Sequence, residues 1–272
     1  MKTRVISGIV AAMLLISLLV LNSYFSIVVV VAVAILSAIA VFEIIYNTGC
    51  IKSTAVVVAA MLYAFAVQFA YKGLLCSAVT LTIIYTLVVV FFAVFEHTNF
   101  GERQITMALS MPIIISFAFS SLERLINVTD GTGLLYFILI FNFACISDIA
   151  AYFVGSALGK HKLAPVISPK KTVEGAIGGL IGAMIGTVIV CLVFEAILTI
   201  DIKVWVLVLI TPVMSIVGIL GDLFASAVKR NYGIKDYGNI MPGHGGILDR
   251  TDSVLLVSVV FSLFLNYVSV IK

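Results

Sequence analysis

The sequence predicts an all-α, polytopic integral membrane protein of about nine transmembrane helices with a polar pocket facing the cytoplasm. Composition and hydropathy carry that expectation. Of 272 residues, 62% are hydrophobic and 11% charged, whereas soluble domains run near half apolar and a quarter charged. Mean hydropathy is +1.25, so the chain lacks the polar residues to cover a water-facing surface. A membrane helix with its connection takes about 30 residues, which sets the count near nine. This composition excludes a large soluble catalytic domain and a disordered chain. With a formal net charge of +3, it also excludes a strongly basic nucleic-acid binder.

Apolar runs of spanning length lie at roughly 5–21, 24–46, 54–71, 74–95, 105–122, 133–154, 173–198, 203–224 and 253–271. The first follows Lys2 and Arg4 as in a signal peptide. No small-residue cleavage site follows and another run starts at once, so it is expected to stay as the first span. Lipid-facing strands would need alternating polar residues, which these runs lack. With the N-terminus inside, 12 Lys and Arg residues fall inside and 4 outside, the bias of cytoplasmic loops. The longest polar segments, 159–172 and 225–252, then share the cytoplasmic face. Residues 1–272 are expected to form a single membrane domain, in which 1–132 carries no catalytic motif and 133–272 is the catalytic part.

In the first half one interior acid stands out, Glu43. An intramembrane acid is a functional candidate by default, and one near a helix end also snorkels or pairs. Cys50, Cys76, Cys145 and Cys191 are far apart in or beside apolar runs, which suits small apolar fillers better than a disulfide or zinc framework. Gly175, Gly178, Gly179, Gly182 and Gly186 include overlapping four-residue spacings, the pattern of a helix-packing seam.

Polar residues gather in three places. Asp148 and Tyr152 share a face of the sixth span, continued by Gly155 and Gly159. Ser168-Pro169-Lys170-Lys171-Thr172-Val173-Glu174-Gly175 is expected to open the seventh span in a turn. Its lysines and helix N-terminus suit phosphate, or alternatively a membrane anchor with Thr172 as helix cap. The third group runs from Gly221 to Asp252. Asp222, Ser226 and Lys229 lie at helical spacing, a loop holds Gly233, Gly238, Gly243, Gly245 and Gly246, and Asp249 and Asp252 open the ninth span. Glycines let backbone approach a ligand closely. Carboxylates at separated helix ends with several cations suit Mg²⁺ and a polyphosphate, since Mg²⁺ takes one or two carboxylates and completes its shell with phosphate oxygens. Helix capping and lipid headgroup contacts are the structural alternatives.

Ser226-x-x-Lys229-Arg230, Lys235-Asp236 and His244-Gly245-Gly246-x-x-Asp249-Arg250-x-Asp252 together resemble the signature of the phosphatidate cytidylyltransferases, the CDP-diacylglycerol synthases, over 27 residues without a gap. Asp148-x-x-Ala151-Tyr152 and the Ser168–Gly175 segment resemble that family's upstream motifs. The resemblance in motif detail covers roughly residues 147–252.

It implies transfer of CMP from CTP to phosphatidic acid, giving CDP-diacylglycerol and pyrophosphate. Mg²⁺ would be required, alone or with a second cation. Asp222 and Asp249 are the expected metal ligands, with Asp148 orienting a cation and His244 shaping the phosphate-facing loop. Lys170, Lys171, Lys229 and Arg230 are expected to hold phosphate, and Ser168, Thr172, Ser226, Lys235, Gly245, Gly246 and Arg250 to join in binding substrate. Implied partners are CTP, phosphatidic acid and membrane lipid, with no nucleic acid. Oligomeric state stays open, a homodimer among the options. The expected location is the bacterial inner membrane, with the site facing the cytoplasm. Rival readings are a CTP-dependent transferase or kinase acting on another lipid such as a polyprenol, and a membrane transporter.

Overall fold

The structure is a computed structural model that describes residues 2–22, 24–51, 53–71, 73, 75–96, 100–128, 131–198, 200–241, 243 and 245–271, without the side chains of 2–6, 11, 12 and 71. Its described residues form nine helices: α1 Lys2–Asn22, α2 Ile27–Tyr46, α3 Thr54–Tyr71, α4 Ala78–Phe95, α5 Glu102–Ile126, α6 Gly133–Leu158, α7 Val173–Leu198, α8 Val204–Asn231 and α9 Leu248–Tyr267. Six of these (α2, α4, α5, α6, α7 and α8) are long and apolar enough to cross a membrane. The chain is an integral membrane protein.

It divides into two compact units, Met1–Glu123 with Tyr232–Thr251, and Arg124–Asn231 with Asp252–Lys272. In the first, α2 and α3 bury Val30, Val41, Ile45, Val56, Ala60 and Ala64. A buried amide in such surroundings must find partners, because lipid offers none. Gln68 finds them: its Nε2 donates to Ser37 Oγ at 3.3 Å and to the Ser116 carbonyl at 3.1 Å. Its Oε1 accepts from Ser120 Oγ at 2.7 Å. These bonds tie α2, α3 and α5.

The second unit repeats the device. Leu135, Leu139, Phe143, Leu207, Met214 and Phe261 make its core. Asn142 donates through Nδ2 to the Ala183 carbonyl at 2.9 Å and to Thr187 Oγ1 at 3.0 Å, and Thr187 meets Thr211 at 2.8 Å. Asn142 also opens a π-helical segment, Asn142–Ile146, inside α6. Such one-turn widenings rotate the next residues about the helix axis, and here those residues are Ser147 and Asp148.

The glycines of α7 form a seam against α6. A Cβ on Gly179 would come within 2.7 Å of the Ser147 carbonyl oxygen, and one on Gly175 within 2.7 Å of the Ala151 carbonyl oxygen. Gly175, Gly179 and Ala183 are buried, while Ile177, Ile181, Ile185 and Ile189 are exposed. The helix therefore turns its small residues to protein and its branched ones outward, as helices packed in lipid do.

One local expectation changes. Ser168–Thr172 does not open a helix: it is the second strand of an antiparallel hairpin, β1 Lys162–Ala164 with β2 Ser168–Thr172. Pro169 lacks an N–H and pushes the preceding residue away from helical dihedrals, so the chain stays extended until Val173.

Gly179→Val forces its side chain against backbone that cannot yield. We expect a loss of about 1–3 kcal/mol, read as a lower thermal unfolding midpoint of the detergent-solubilised protein. An unchanged midpoint would contradict the seam.

Candidate active site

Two carboxylates and an ammonium define the polar centre of the second unit. Lys171 is the penultimate residue of β2, and its Nζ lies 2.7 Å from Asp222 Oδ2 on α8 and 3.4 Å from Asp148 Oδ1 on α6. Its side chain is about one-fifth exposed. Burial works against the Lys171 charge, but Asp148 and Asp222 outweigh it and hold the ammonium above the ordinary lysine value. Counted as formal charges, two carboxylates and one ammonium sum to minus one. The hairpin makes this possible: β2 is short and extended, so Lys171 reaches inward while Lys170 is exposed.

A cavity of about 620 Å³ opens beside this triad. Asp148, Tyr152, Ser168, Lys170, Lys171 and Thr172 line it, so the structure joins the first two motif groups. Lys162 of β1 lines it as well, a contribution visible only once the hairpin pairs Lys162 with Thr172. Thr172 caps α7, accepting the Gly175 N–H at 3.1 Å. Gly155, Gly159 and Gly175 all crowd its hydroxyl, since a Cβ on any of them would come within 2.8 Å of Oγ1. Glu174, whose role sequence left unassigned, fastens the turn before the hairpin: its carboxylate accepts the N–H groups of Lys160 and His161 and meets His161 Nδ1 at 2.6 Å.

The third motif group is split between the units. Asp222, Ser226, Lys229 and Arg230 lie on the last turns of α8, with Lys229 buried and Arg230 exposed. Asp252 also lies in the second unit, with Oδ1 accepting the Ser253 N–H at 2.7 Å. Lys235, Asp236, Gly245, Gly246, Asp249 and Arg250 belong to the first unit. There Lys235, Asp236 and Arg250 are exposed, while Asp249 is buried. Asp249 Oδ2 accepts the N–H groups of Tyr237 at 2.8 Å and Gly246 at 3.0 Å. His244 lies outside the described residues.

Two of the loop glycines also make a close contact within the protein. Gly238 and Gly246 bring backbone against the carboxylate of Glu43 on α2, where a Cβ on Gly246 would sit 2.5 Å from both oxygens. The sequence signal for it is an acid in an apolar span with no evident partner.

Among the described residues, no group of three or more His, Cys, Asp and Glu side chains could hold a metal ion by itself. The donor set of the triad nonetheless suits a hard cation. Asp148 and Asp222 converge on one positive charge, and Mg²⁺ takes one or two carboxylates with phosphate and water oxygens completing its shell.

The sequence as a whole has relatives among known proteins. The chain belongs to the Cytidylyltransferase family, whose pattern it matches over residues 2–268. It is 36% identical over 180 residues to the phosphatidate cytidylyltransferase of Staphylococcus epidermidis, an alignment covering 66% of this chain and 68% of that protein. The phosphatidate cytidylyltransferases of Staphylococcus saprophyticus and Staphylococcus aureus are likewise 36% identical over 181 residues, with the same coverage of each chain.

Lys171→Met leaves Asp148 and Asp222 without the ammonium between them. We expect a loss of stability on the order of 1–3 kcal/mol, partly recovered by millimolar Mg²⁺, with a smaller response from the native protein. An equal Mg²⁺ response in both, followed as thermal unfolding in detergent, would contradict the cation-holding role of the two carboxylates.

Proposed function

We propose that this chain is a phosphatidate cytidylyltransferase, making CDP-diacylglycerol and pyrophosphate from CTP and phosphatidic acid. Membership of the cytidylyltransferase family and the names of its relatives support that reaction. The observation that carries the site is the Lys171 ammonium held by Asp148 and Asp222 at the wall of a cavity that Lys170 and Ser168 also line.

The chemistry needs little from a general base. The second pKa of a phosphate monoester lies near 6, so phosphatidic acid is largely dianionic at neutral pH and is itself the nucleophile. One of its oxygens bonds to the α-phosphorus of CTP. The α–β phosphoanhydride bond breaks, and pyrophosphate leaves with the electron pair. Catalysis then rests on alignment and on neutralising charge that builds on the phosphates.

Lys170, Lys171, Lys229 and Arg230 supply positive charge for the triphosphate and the lipid phosphate. Ser168, Thr172, Ser226, Lys235, Gly245, Gly246 and Arg250 contribute to substrate binding, and His244 to the loop that faces phosphate. Asp148 holds Lys171 in place and orients the cation that Asp222 binds. Mg²⁺, alone or with a second cation, would supply further neutralisation at phosphate oxygens, and Asp222 and Asp249 are the carboxylates we propose to bind it. Lys171 keeps the local charge of Asp148 and Asp222 low until anionic substrate draws its ammonium away.

Nine membrane crossings with an internal N-terminus fit the 12-to-4 distribution of basic residues. In that orientation the site faces the cytoplasm of a bacterial inner membrane, where CTP is dissolved and the phosphatidate headgroup lies at the interface.

Purified protein in detergent, given labelled CTP, phosphatidic acid and Mg²⁺, is expected to form CDP-diacylglycerol and an equal amount of pyrophosphate, and to stop when Mg²⁺ is chelated. Product with a polyprenyl phosphate acceptor alone would overturn the lipid assignment. Asp222→Ala is expected to lower kcat by at least about 100-fold. Near-native turnover at matched protein level would remove Asp222 from the cation site.

A further inference from the structure

Glu43 lies some 200 residues before the signature loop, and only 1% of it is exposed. Its Oε1 accepts the Ile247 N–H and its Oε2 the Leu248 N–H, each at 2.9 Å. Those N–H groups stand at the start of α9, where no carbonyl of the helix can reach them. The fit is close on the loop side too. Gly246 has no room for a Cβ, which would lie 2.5 Å from both Glu43 oxygens, and a Cβ on Gly238 would overlap Oε1.

One turn further along the chain from Glu43, Asn47 Nδ2 donates to the Tyr237 carbonyl. The Tyr237 N–H in turn donates to Asp249 Oδ2, which also takes the Gly246 N–H. Tyr237 is therefore fastened to the C-terminal cap of α2, and Ile247 and Leu248 to α2 itself. The Asp249 carboxylate is tied to segment 237–248 at Tyr237 and at Gly246. Three successive amides, Gly246 to Leu248, are shared between two acids, so moving Glu43 moves the frame that aims Asp249.

We propose that Glu43 is a positioning residue for cytidylyl transfer: through the backbone of 246–248 it fixes the direction of the Asp249 carboxylate, without touching substrate. This rests on the proposed function, in which Asp249 binds the cation of that reaction. It also gives the N-terminal helices a part in catalysis.

The test combines kinetics with amide hydrogen exchange on the full chain in detergent. Glu43→Gln keeps the size of the side chain but sets an amide donor against one of the two N–H groups. Its kcat is expected to fall about 100-fold, the cost of a misplacement near 1 Å, with KM for phosphatidic acid within about twofold. Exchange of amides 237–249 should quicken at least about 10-fold while α3 keeps its protection. Glu43→Asp, which retains two acceptors, should recover part of kcat; a mere space-filling role would instead make the isosteric Gln the better substitute. Asn47→Leu, which loosens the other fastening, should lower kcat about 10-fold.

Native kcat and native exchange in Glu43→Gln would overturn the proposal. So would a loss of kcat accompanied by faster exchange throughout α2 and α3, which marks a general packing role. If the native protein makes no CDP-diacylglycerol, the reading of the reaction falls, and the exchange data decide the fastening by themselves.

Discussion

The Lys171 ammonium, 2.7 Å from Asp222 and 3.4 Å from Asp148, is the contact on which the second unit's polar centre depends. Carboxylates on two helices of an apolar bundle cost several kcal/mol unless they meet a cation or donors. Lys171 supplies that cation from a strand. The hairpin must hold the strand there, Thr172 must end it by capping α7, and Glu174 must fasten the turn before the hairpin. Remove the pairing and two like charges face each other at the wall of a cavity. The same arrangement that makes the unit stable also leaves a positive group beside a space large enough for phosphate.

The first unit meets the same demand with backbone. Glu43 accepts the amides of residues 247 and 248, and Asp249 those of 237 and 246. Two N–H groups on one carboxyl group offset part of what burial costs it. The demand they make is steric, since backbone must come close enough to donate, and Gly238 and Gly246 provide the clearance. Both units thus use glycine for contact within the protein: Gly175 and Gly179 for helix against helix, Gly238 and Gly246 for loop against acid.

Much of this was legible in the sequence. Apolar run lengths placed the helices, most of them to within a few residues, because a helix that must fill a bilayer advertises its length. The glycine spacing of α7 announced the seam against α6, and Asp148 with Tyr152 announced a shared face on one cavity. Features that stayed hidden depend on contacts between distant segments. Lys162 gains its place through strand pairing with Thr172, and a three-residue strand has too little pattern to be read. Glu43 looked like a lone acid near a helix end because its partners are backbone amides about 200 positions away, and backbone carries no sequence signature. The π-helical segment at Asn142–Ile146 leaves no trace in hydrophobic periodicity either, yet it sets the facing of Asp148.

If this fold joins a nucleotide's α-phosphorus to a lipid phosphate, the fate of each phosphorus is the most direct test. Parallel reactions with phosphatidic acid and CTP labelled at the α- or the γ-phosphorus separate the possibilities. The α-label is expected to enter the lipid product and the γ-label to leave entirely in pyrophosphate. Transfer of γ-label to the lipid, with CDP released, would make the protein a lipid kinase and contradict cytidylyl transfer.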